Sequence, residues 1–113
     1  MRGRHGWLYL ADLAPTFGTE PGKLRPVVVV QTDLLNDSGP PSTWILPCTT
    51  RRTGENLLRV VLPAGAAGNR DECEVMIDQS RAIDNRRLRR ELRAIPALLL
   101  REVKSKLRLL GDL

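Results

Sequence analysis

The chain has 113 residues, and its 18 Lys and Arg against 13 Asp and Glu give a formal charge of +5. This length fits one domain over residues 1–113, and a composition of 42% hydrophobic and 27% charged residues excludes a disordered acidic chain. No apolar run reaches the ~18 residues of a membrane-spanning helix, and no signal peptide is visible, so we expect a cytoplasmic protein without a membrane partner.

The first half of the chain predicts three β-strands separated by turn-rich segments. Residues 7–13 are β-prone and end before a proline, and residues 14–24 form a long loop rich in glycine and proline. Residues 25–31 contain four consecutive valines, which indicate a strand buried on both faces because no polar residue marks a solvent side. Residues 43–48 predict the next strand.

The segments that follow predict further short strands. Residues 49–56 are polar and we expect them to be exposed, whereas residues 57–62 predict a strand. A loop of small residues over 66–71 then leads to an alternating strand from residue 73 that is expected to continue towards residue 83.

The C-terminal part has a different pattern. Leu88, Leu92 and Ile95 recur at helical spacing, so the pattern alone predicts a helix over residues 86–95. Pro96 is suited to begin a second helix, whose apolar stripe comprises Leu99, Val103, Leu107 and Leu110. Several short strands followed by an amphipathic helix predict a small, partly open barrel with a helix packed on it.

The charge lies unevenly along the chain. Residues 1–78 carry 8 basic and 9 acidic side chains, whereas residues 79–113 carry 10 basic and 4 acidic ones. A basic C-terminal third favours phosphate-bearing partners, nucleic acid before anionic membrane. Cys48 and Cys73 indicate free thiols in a reducing compartment, with a single disulfide left open.

The loop that leads into the valine strand carries the strongest local signal for chemistry. Glu20, Lys23 and Arg25 fall within one short arc, and an arginine at the mouth of a rigid strand is suited to bind a phosphate in bidentate fashion. The structural alternative is an arginine at a loop end that pairs with Glu20.

Two further stretches are polar where a strand ends or should continue. Thr49 and Thr50 follow a strand, and a hydroxyl there is suited to orient a phosphate, although a threonine that caps a strand end explains it equally. Residues 77–84 place Asp78, Gln79 and Arg81 in an apolar strand pattern, which predicts a hydrogen-bond network or the rim of a site.

Taken in order, these stretches resemble the MazF/PemK family of toxin endoribonucleases from bacterial type II toxin–antitoxin systems. The resemblance rests on the ordered combination rather than on a single motif. It covers nearly the whole chain through residues 5–9, 12–15, 18–30, 47–50, 78–84 and 95–110.

The resemblance implies a fold and a reaction. The family fold is α+β and mainly β, a small SH3-like, partly open antiparallel barrel with a long C-terminal helix, and the molecule is usually a homodimer. It also implies that residues 89–95 form a strand after a short helical turn, against the helix predicted by pattern alone. Active members cleave single-stranded RNA without a metal or other cofactor, through attack of the ribose 2′-OH that leaves a 2′,3′-cyclic phosphate.

The resemblance also assigns roles to residues of this chain. Arg25 is the expected stabiliser of charge on the phosphate, Thr49 the hydroxyl that holds the phosphate or the 2′-OH, and Glu20 the base or the group that orients Arg25. The further RNA-binding residues expected are Lys23, Thr50, Arg51, Arg52, Asp78, Gln79 and Arg81.

Partners and alternatives follow from the same resemblance. The expected partners are single-stranded RNA, in the first place mRNA but also tRNA or rRNA, and an antitoxin whose acidic disordered segment folds on binding. Operator DNA is expected to be bound only through the antitoxin. The alternatives are a toxin of the CcdB type, which poisons DNA gyrase, and a nucleic-acid-binding barrel without catalysis.

Overall fold

The computed structural model describes residues 1–13, 24–55 and 57–113, and these residues form seven β-strands and two α-helices. The strands are β1 (Trp7–Asp12), β2 (Leu24–Val29), β3 (Ser42–Thr49), β4 (Arg59–Leu62), β5 (Cys73–Met76), β6 (Arg81–Asp84) and β7 (Leu88–Ala94). The helices are α1 (Asp33–Asn36) and α2 (Ala97–Gly111). This architecture confirms the expected mainly β fold with a C-terminal helix.

All strands join one antiparallel sheet that does not close. The strand order is β4-β5-β3-β2-β1-β7, and β6 pairs with β3 off this path. One edge of the long strand β3 pairs with β2, and its other edge pairs first with β6 and then with β5. The sheet therefore bends along β3, which brings the end of β3 against β5 and its start against β6.

The valine run of β2 contributes to two apolar clusters. Val28 and Val30 belong to the cluster that includes Val103 of α2, whereas Val27 and Val29 belong to the cluster that contains Tyr9. Because successive side chains of a strand point to opposite faces, one run of valines supplies both clusters. This explains why the valine run contains no polar residue, as the sequence predicts.

Helix α2 begins directly after Pro96 and packs its apolar stripe onto the sheet. Val103 is fully buried, and Leu99 and Leu107 are partly buried against the first cluster, whereas Leu110 is 46% exposed. Lys106 donates a hydrogen bond to the Arg59 carbonyl at 2.8 Å. The helix therefore packs against one face of the sheet over most of the helix's own length. Among the described residues, no helix is long and apolar enough to cross a membrane.

The helix predicted by pattern alone over residues 86–95 is wrong. A short 3₁₀ turn, Asn85–Arg87, leads into strand β7, which pairs with β1. Because the register between β1 and β7 is irregular, Leu88 packs in the cluster that contains Tyr9, whereas Leu92 packs against the cluster that contains Val103. Both positions are therefore apolar, and their separation of four residues coincides with the spacing of a helix. The strand that the resemblance implied here is correct.

The strand predicted from residue 73 towards residue 83 is also interrupted. β5 ends at Met76, the 3₁₀ turn Ile77–Gln79 follows, and β6 begins at Arg81. β5 pairs with the end of β3, and β6 pairs with its start. The turn between them therefore carries the chain from one end of β3 to the other.

Candidate functional site

Arg25 and Thr49 lie at adjoining ends of neighbouring strands. The ladder between β2 and β3 ends at the pair of Val27 with Pro47. Continued two residues beyond this pair, the same antiparallel register aligns Arg25 of β2 with Thr49 of β3. Arg25 is exposed and Thr49 is half-buried. The sheet therefore brings together the two catalytic residues expected on described strands.

A groove of about 450 Å³ opens beside this pair. Strands β1, β2, β3 and β7 contribute to it, and the loop before β5 contributes residues 68–71. The lining residues are Leu10, Leu24, Arg25, Pro26, Cys48, Thr50, Gly68, Asn69, Arg70, Asp71, Arg90 and Leu92. Of the residues expected at the site from the sequence, Arg25 and Thr50 line the groove directly.

The hydroxyl of Thr49 is oriented by its own loop. The backbone N–H of Arg51 donates a hydrogen bond to Thr49 Oγ1 at 3.1 Å. A hydroxyl that accepts a hydrogen bond in this way keeps its own O–H for donation. Thr49 is therefore arranged as a hydrogen-bond donor at the end of β3.

Arg51 and Arg52 are exposed and do not line the groove. The Arg52 guanidinium lies 2.8 Å from a carboxylate oxygen of Glu72. An exposed ion pair of this kind contributes little stability, so Arg52 remains available at low cost. Both arginines belong to the exposed loop of residues 50–55, as their sequence predicts.

Asp78, Gln79 and Arg81 occupy a different part of the surface. All three are exposed, and Arg81 of β6 pairs with Ile45 of β3. Ile45 lies four residues from Thr49, or about 13 Å along the strand. The structure therefore does not bring these three residues to the groove. Glu20 and Lys23 lie outside the described residues.

Glu74 is a site residue that the sequence reasoning missed. It pairs with Thr49 across β3 and β5, and it is 1% exposed. Its Oε1 accepts hydrogen bonds at 3.3 Å from the Thr53 N–H and hydroxyl, and it lies 3.3 Å from the Arg59 guanidinium. Glu74 therefore anchors the loop of residues 50–55 next to Thr49.

The environment of Glu74 favours its charged form. Burial acts to raise the pKa of the Glu74 carboxyl, but hydrogen bonds from Thr53 and the Gly54 N–H outweigh it. The positive charge of Arg59 acts in the same direction. The pKa of Glu74 therefore lies below its usual value, and the anchor is ionised at neutral pH.

Asn69 anchors the loop on the opposite side of the groove and was also missed. Its side-chain amide donates to the carbonyls of Pro63 at 3.0 Å and Asp71 at 2.8 Å. Its Oδ1 accepts from the N–H of Ala67 at 3.1 Å. The residue is 4% exposed. Nothing in the sequence separates Asn69 from an ordinary loop residue, because the burial that gives its hydrogen bonds their weight arises only in the fold.

The two cysteines are free thiols packed beneath the groove. Cys48 and Cys73 are both buried, and Cys48 lines the groove floor. The hydrogen bond with Cys73, together with full burial, raises the pKa of the Cys48 thiol. Cys48 is therefore an uncharged, apolar part of the floor at neutral pH.

No group of three or more His, Cys, Asp or Glu side chains within residues 1–13, 24–55 and 57–113 is arranged to hold a metal ion. The polar groups at the groove are mainly guanidinium, hydroxyl and amide groups, with Asp71 as the single carboxylate among the described lining residues. Such donors suit an anionic ligand such as a phosphate.

Comparison with known proteins places the chain in a family. A family model described as the PemK-like, MazF-like toxin of type II toxin–antitoxin systems matches residues 4–111. The chain belongs to this family. The match covers every strand and helix described above, and it confirms the resemblance inferred from the ordered motifs.

Two curated relatives and one solved structure agree with this assignment. The chain is 31% identical over 104 residues to "Endoribonuclease MazF" of Staphylococcus saprophyticus, covering 90% of this chain and 85% of the relative. It is 34% identical over 87 residues to "Endoribonuclease EndoA" of Bacillus subtilis, covering 75% and 73%. It resembles a crystal structure of MazE–MazF from Deinococcus radiodurans with a TM-score of 0.82, 29% identity and coverage of 100% and 98%.

Proposed function

We propose that this toxin is a metal-independent, sequence-specific endoribonuclease that cleaves single-stranded RNA beside the groove, with Arg25 and Thr49 at the cleaved phosphate. The observation that carries the proposal is that Arg25 lines the groove together with Thr50, while the register of β2 and β3 puts Thr49 at the adjoining strand end. The curated relatives, both named endoribonucleases, confirm the enzyme class.

The proposed reaction is an internal transesterification. The ribose 2′-oxygen attacks the adjacent phosphorus and loses its proton, and the bond from phosphorus to the 5′-oxygen of the next nucleotide breaks. The leaving oxygen takes up a proton, and the upstream fragment ends in a 2′,3′-cyclic phosphate. No other reactant is consumed, so the protein needs to position the phosphate, transfer protons and stabilise charge.

Arg25 and Thr49 fit the stabilising part of this reaction. A guanidinium stays protonated and spreads its donors over two phosphate oxygens, where negative charge develops in the transition state. The Thr49 hydroxyl, fixed by the Arg51 N–H, donates to the phosphate or orients the 2′-OH. We assign the base to Glu20, from the resemblance alone.

The remaining expected contacts are part of the same proposal. Thr50 lines the groove, and Arg51 and Arg52 lie on the adjacent loop, so these residues follow the RNA backbone next to the cleaved phosphate. Lys23 extends this set by resemblance. Asp78, Gln79 and Arg81 lie apart from the groove and are the weakest members of the RNA-binding set.

The partner of a toxin of this family is its antitoxin. Two similar solved structures from Deinococcus radiodurans, 29% and 27% identical to this chain, are MazE–MazF complexes. We propose that the cognate antitoxin binds this chain through an acidic segment, that the toxin is a cytoplasmic homodimer, and that it meets operator DNA only through the antitoxin.

The Arg25→Ala variant tests the proposal. We expect cleavage of single-stranded RNA to fall at least about 100-fold because electrostatic stabilisation of the transition state is lost, while the circular dichroism spectrum and melting temperature stay unchanged. The measurement is the release of fragments with 2′,3′-cyclic phosphate ends in the presence of EDTA. Arg101→Ala, which removes the same charge from α2, is the control.

Near-wild-type cleavage by Arg25→Ala would contradict the proposed site. Failure of the wild-type protein to cleave any of many RNA sequences, with RNA binding retained, would instead indicate a non-catalytic nucleic-acid-binding barrel. Inhibition of DNA gyrase without RNA cleavage would indicate the CcdB type, which the curated relatives do not favour.

A further inference from the structure

We infer that the groove beside Arg25 and Thr49 is a subsite for one whole nucleotide next to the cleaved phosphate. In this subsite the base lies on an apolar floor, and Arg70 and Arg90 hold the phosphate that flanks it. The inference rests on the proposed ribonuclease function and adds two binding residues, Arg70 and Arg90, and one specificity residue, Asp71.

The floor of the groove is apolar although its rim is charged. Leu10 of β1 and Leu92 of β7 contribute from the sheet, and Leu24 and Pro26 contribute from the start of β2. Leu24 is 47% exposed, which is a large exposed fraction for a leucine at a sheet surface. Proteins that read single-stranded RNA commonly hold splayed bases on such apolar or stacking surfaces.

Arg70 and Arg90 bring positive charge to the groove from separate elements. Arg70 belongs to the loop of residues 63–71, and Arg90 lies on β7 directly across from Leu10 of β1. Both are exposed. Together with Arg25 they set three guanidinium groups around one groove that contains the single carboxylate of Asp71 among its described lining residues.

In the part of the chain that the structure describes, the guanidinium groups of Arg70 and Arg90 form no ion pairs. Within residues 1–13, 24–55 and 57–113, the salt bridges of other arginines involve Arg2, Arg4, Arg52, Arg59, Arg86 and Arg89. Arg70 and Arg90 make none with the described carboxylates. Unpaired guanidinium groups around a concave, partly apolar surface are suited to an anion that carries an apolar body.

The size of the groove suits a ligand of about one nucleotide. A volume of about 450 Å³ lies near the lower end of the ~300–1,000 Å³ range of small-molecule sites. The loop of residues 63–71 is held in place by Asn69, so the wall that carries Arg70 is already formed. On the side that carries Arg70, the groove therefore accepts a base without a change in its wall.

Asp71 gives this subsite a base preference. An exposed carboxylate on the rim accepts hydrogen bonds from exocyclic amino groups, which cytosine, adenine and guanine have and uracil lacks. We therefore expect uridine to be disfavoured at one position next to the cleaved bond. The carboxylate also repels phosphate, which keeps the backbone on the side of the arginines.

The first experiment uses Arg70→Ala and Arg90→Ala with a 12-mer RNA that contains a cleaved sequence, and the same 12-mer in 2′-O-methyl form for binding. We expect each variant to raise KM and Kd about tenfold, as for the loss of a charge-assisted hydrogen bond, with kcat nearly unchanged. The slope of log K against log salt should fall by about 0.7 for each lost contact. Arg101→Ala is the matched control.

The second experiment uses Asp71→Asn on a set of 12-mers in which uridine replaces the base at each position in turn. We expect the penalty for uridine to shrink at a single position beside the cleaved bond and to stay unchanged elsewhere. Asp112→Asn, which removes a carboxylate from the end of α2, is the control.

The outcomes separate this inference from the function on which it rests. If wild-type protein cleaves RNA but Arg70→Ala and Arg90→Ala behave as Arg101→Ala does, the subsite is wrong and the ribonuclease stands. If wild-type protein does not cleave, the function fails, and unchanged binding of a randomised 2′-O-methyl 12-mer by both variants overturns the subsite too. Unchanged base preferences in Asp71→Asn overturn the role of Asp71.

Discussion

Two loops flank the groove, and each depends on one buried polar side chain of a different kind. The loop of residues 50–55 is exposed and held by the carboxylate of Glu74. The loop of residues 63–71 is held by the neutral amide of Asn69, and it also bonds to β7 where the Arg93 N–H donates to the Ala67 carbonyl at 2.9 Å.

One side of the groove is therefore fixed, whereas the other side changes with pH. An amide makes the same hydrogen bonds at any pH near neutrality, so the wall that carries Arg70 keeps its shape. A carboxylate loses its charge at low pH, so the position of the loop that carries Arg51 and Arg52 depends on pH. At low pH the groove should therefore lose the order of this loop while the wall that carries Arg70 is kept.

Of the replacements that test this difference between the two loops, that of Asn69 should have the largest effect. Asn69→Ala removes three hydrogen bonds in a buried place, and we expect the free energy of unfolding to fall by about 3 kcal/mol. The wall that carries Arg70 should then loosen, so KM for RNA should rise. Urea denaturation and cleavage kinetics measure the two effects.

Asn36→Ala is the matched control for Asn69→Ala. Asn36 is also buried, and its amide donates to the Gln31 carbonyl and to the Asp33 carboxylate in and near α1, away from the groove. It should destabilise the protein without a change in KM. An equal rise in KM for both variants would show that KM responds to stability alone.

Replacement of Glu74 should have a smaller and more local effect. Glu74→Gln keeps the shape of the side chain but loses the charge that pairs with Arg59 and attracts the Thr53 donors. We expect trypsin to cut after Arg51 or Arg52 about fivefold faster because the loop opens more often. Glu72→Gln, which breaks only the exposed pair with Arg52, should leave the rate nearly unchanged.

The smallest effect concerns pH. The pKa of Glu74 is lowered in the folded protein from its ordinary value of 4.5, so its contribution to stability is complete above that value. The contribution is lost as the pH falls through the folded pKa. The difference in melting temperature between wild type and Glu74→Gln should therefore be constant from pH 7 to 5 and should shrink below pH 4.5.

Another carboxyl titrates in the same range but cancels in this comparison. A hydrogen bond from Arg86 lowers the pKa of Asp84 from 3.8 to about 2, and both proteins retain this pair. A difference in melting temperature that stays constant down to pH 3 would mean that the charge of Glu74 does not hold the loop.

The sequence predicted those parts of the fold in which one physical pattern dominates. The four consecutive valines of residues 27–30 predicted burial on both faces, and Pro96 predicted the start of α2. It failed at β7 because the irregular register of a strand reproduced helical spacing. The spacing of apolar residues in a segment does not show which strand, distant in sequence, the segment will pair with.

The candidate site was predictable only where its residues form a continuous motif. Arg25 and Thr49 are parts of such motifs, whereas Arg70, Arg90 and Asp71 reach the groove from a loop and a strand that are distant in sequence. Glu74 and Asn69 look like ordinary surface residues in a sequence. Their role depends on burial, which only the assembled sheet creates.

The pairing of β1 with β7 has a consequence for the timing of synthesis. Gly6, at φ +78°, donates its N–H to the Val29 carbonyl of β2. It also accepts a hydrogen bond from the N–H of Ile95 and lies beside Leu100 of α2, so an early residue is held by segments that are made late. Since Arg90 and Leu92 also come from β7, the groove is complete only after nearly the whole chain has been translated. A ribosome that is still synthesising this toxin therefore carries a chain whose groove is incomplete.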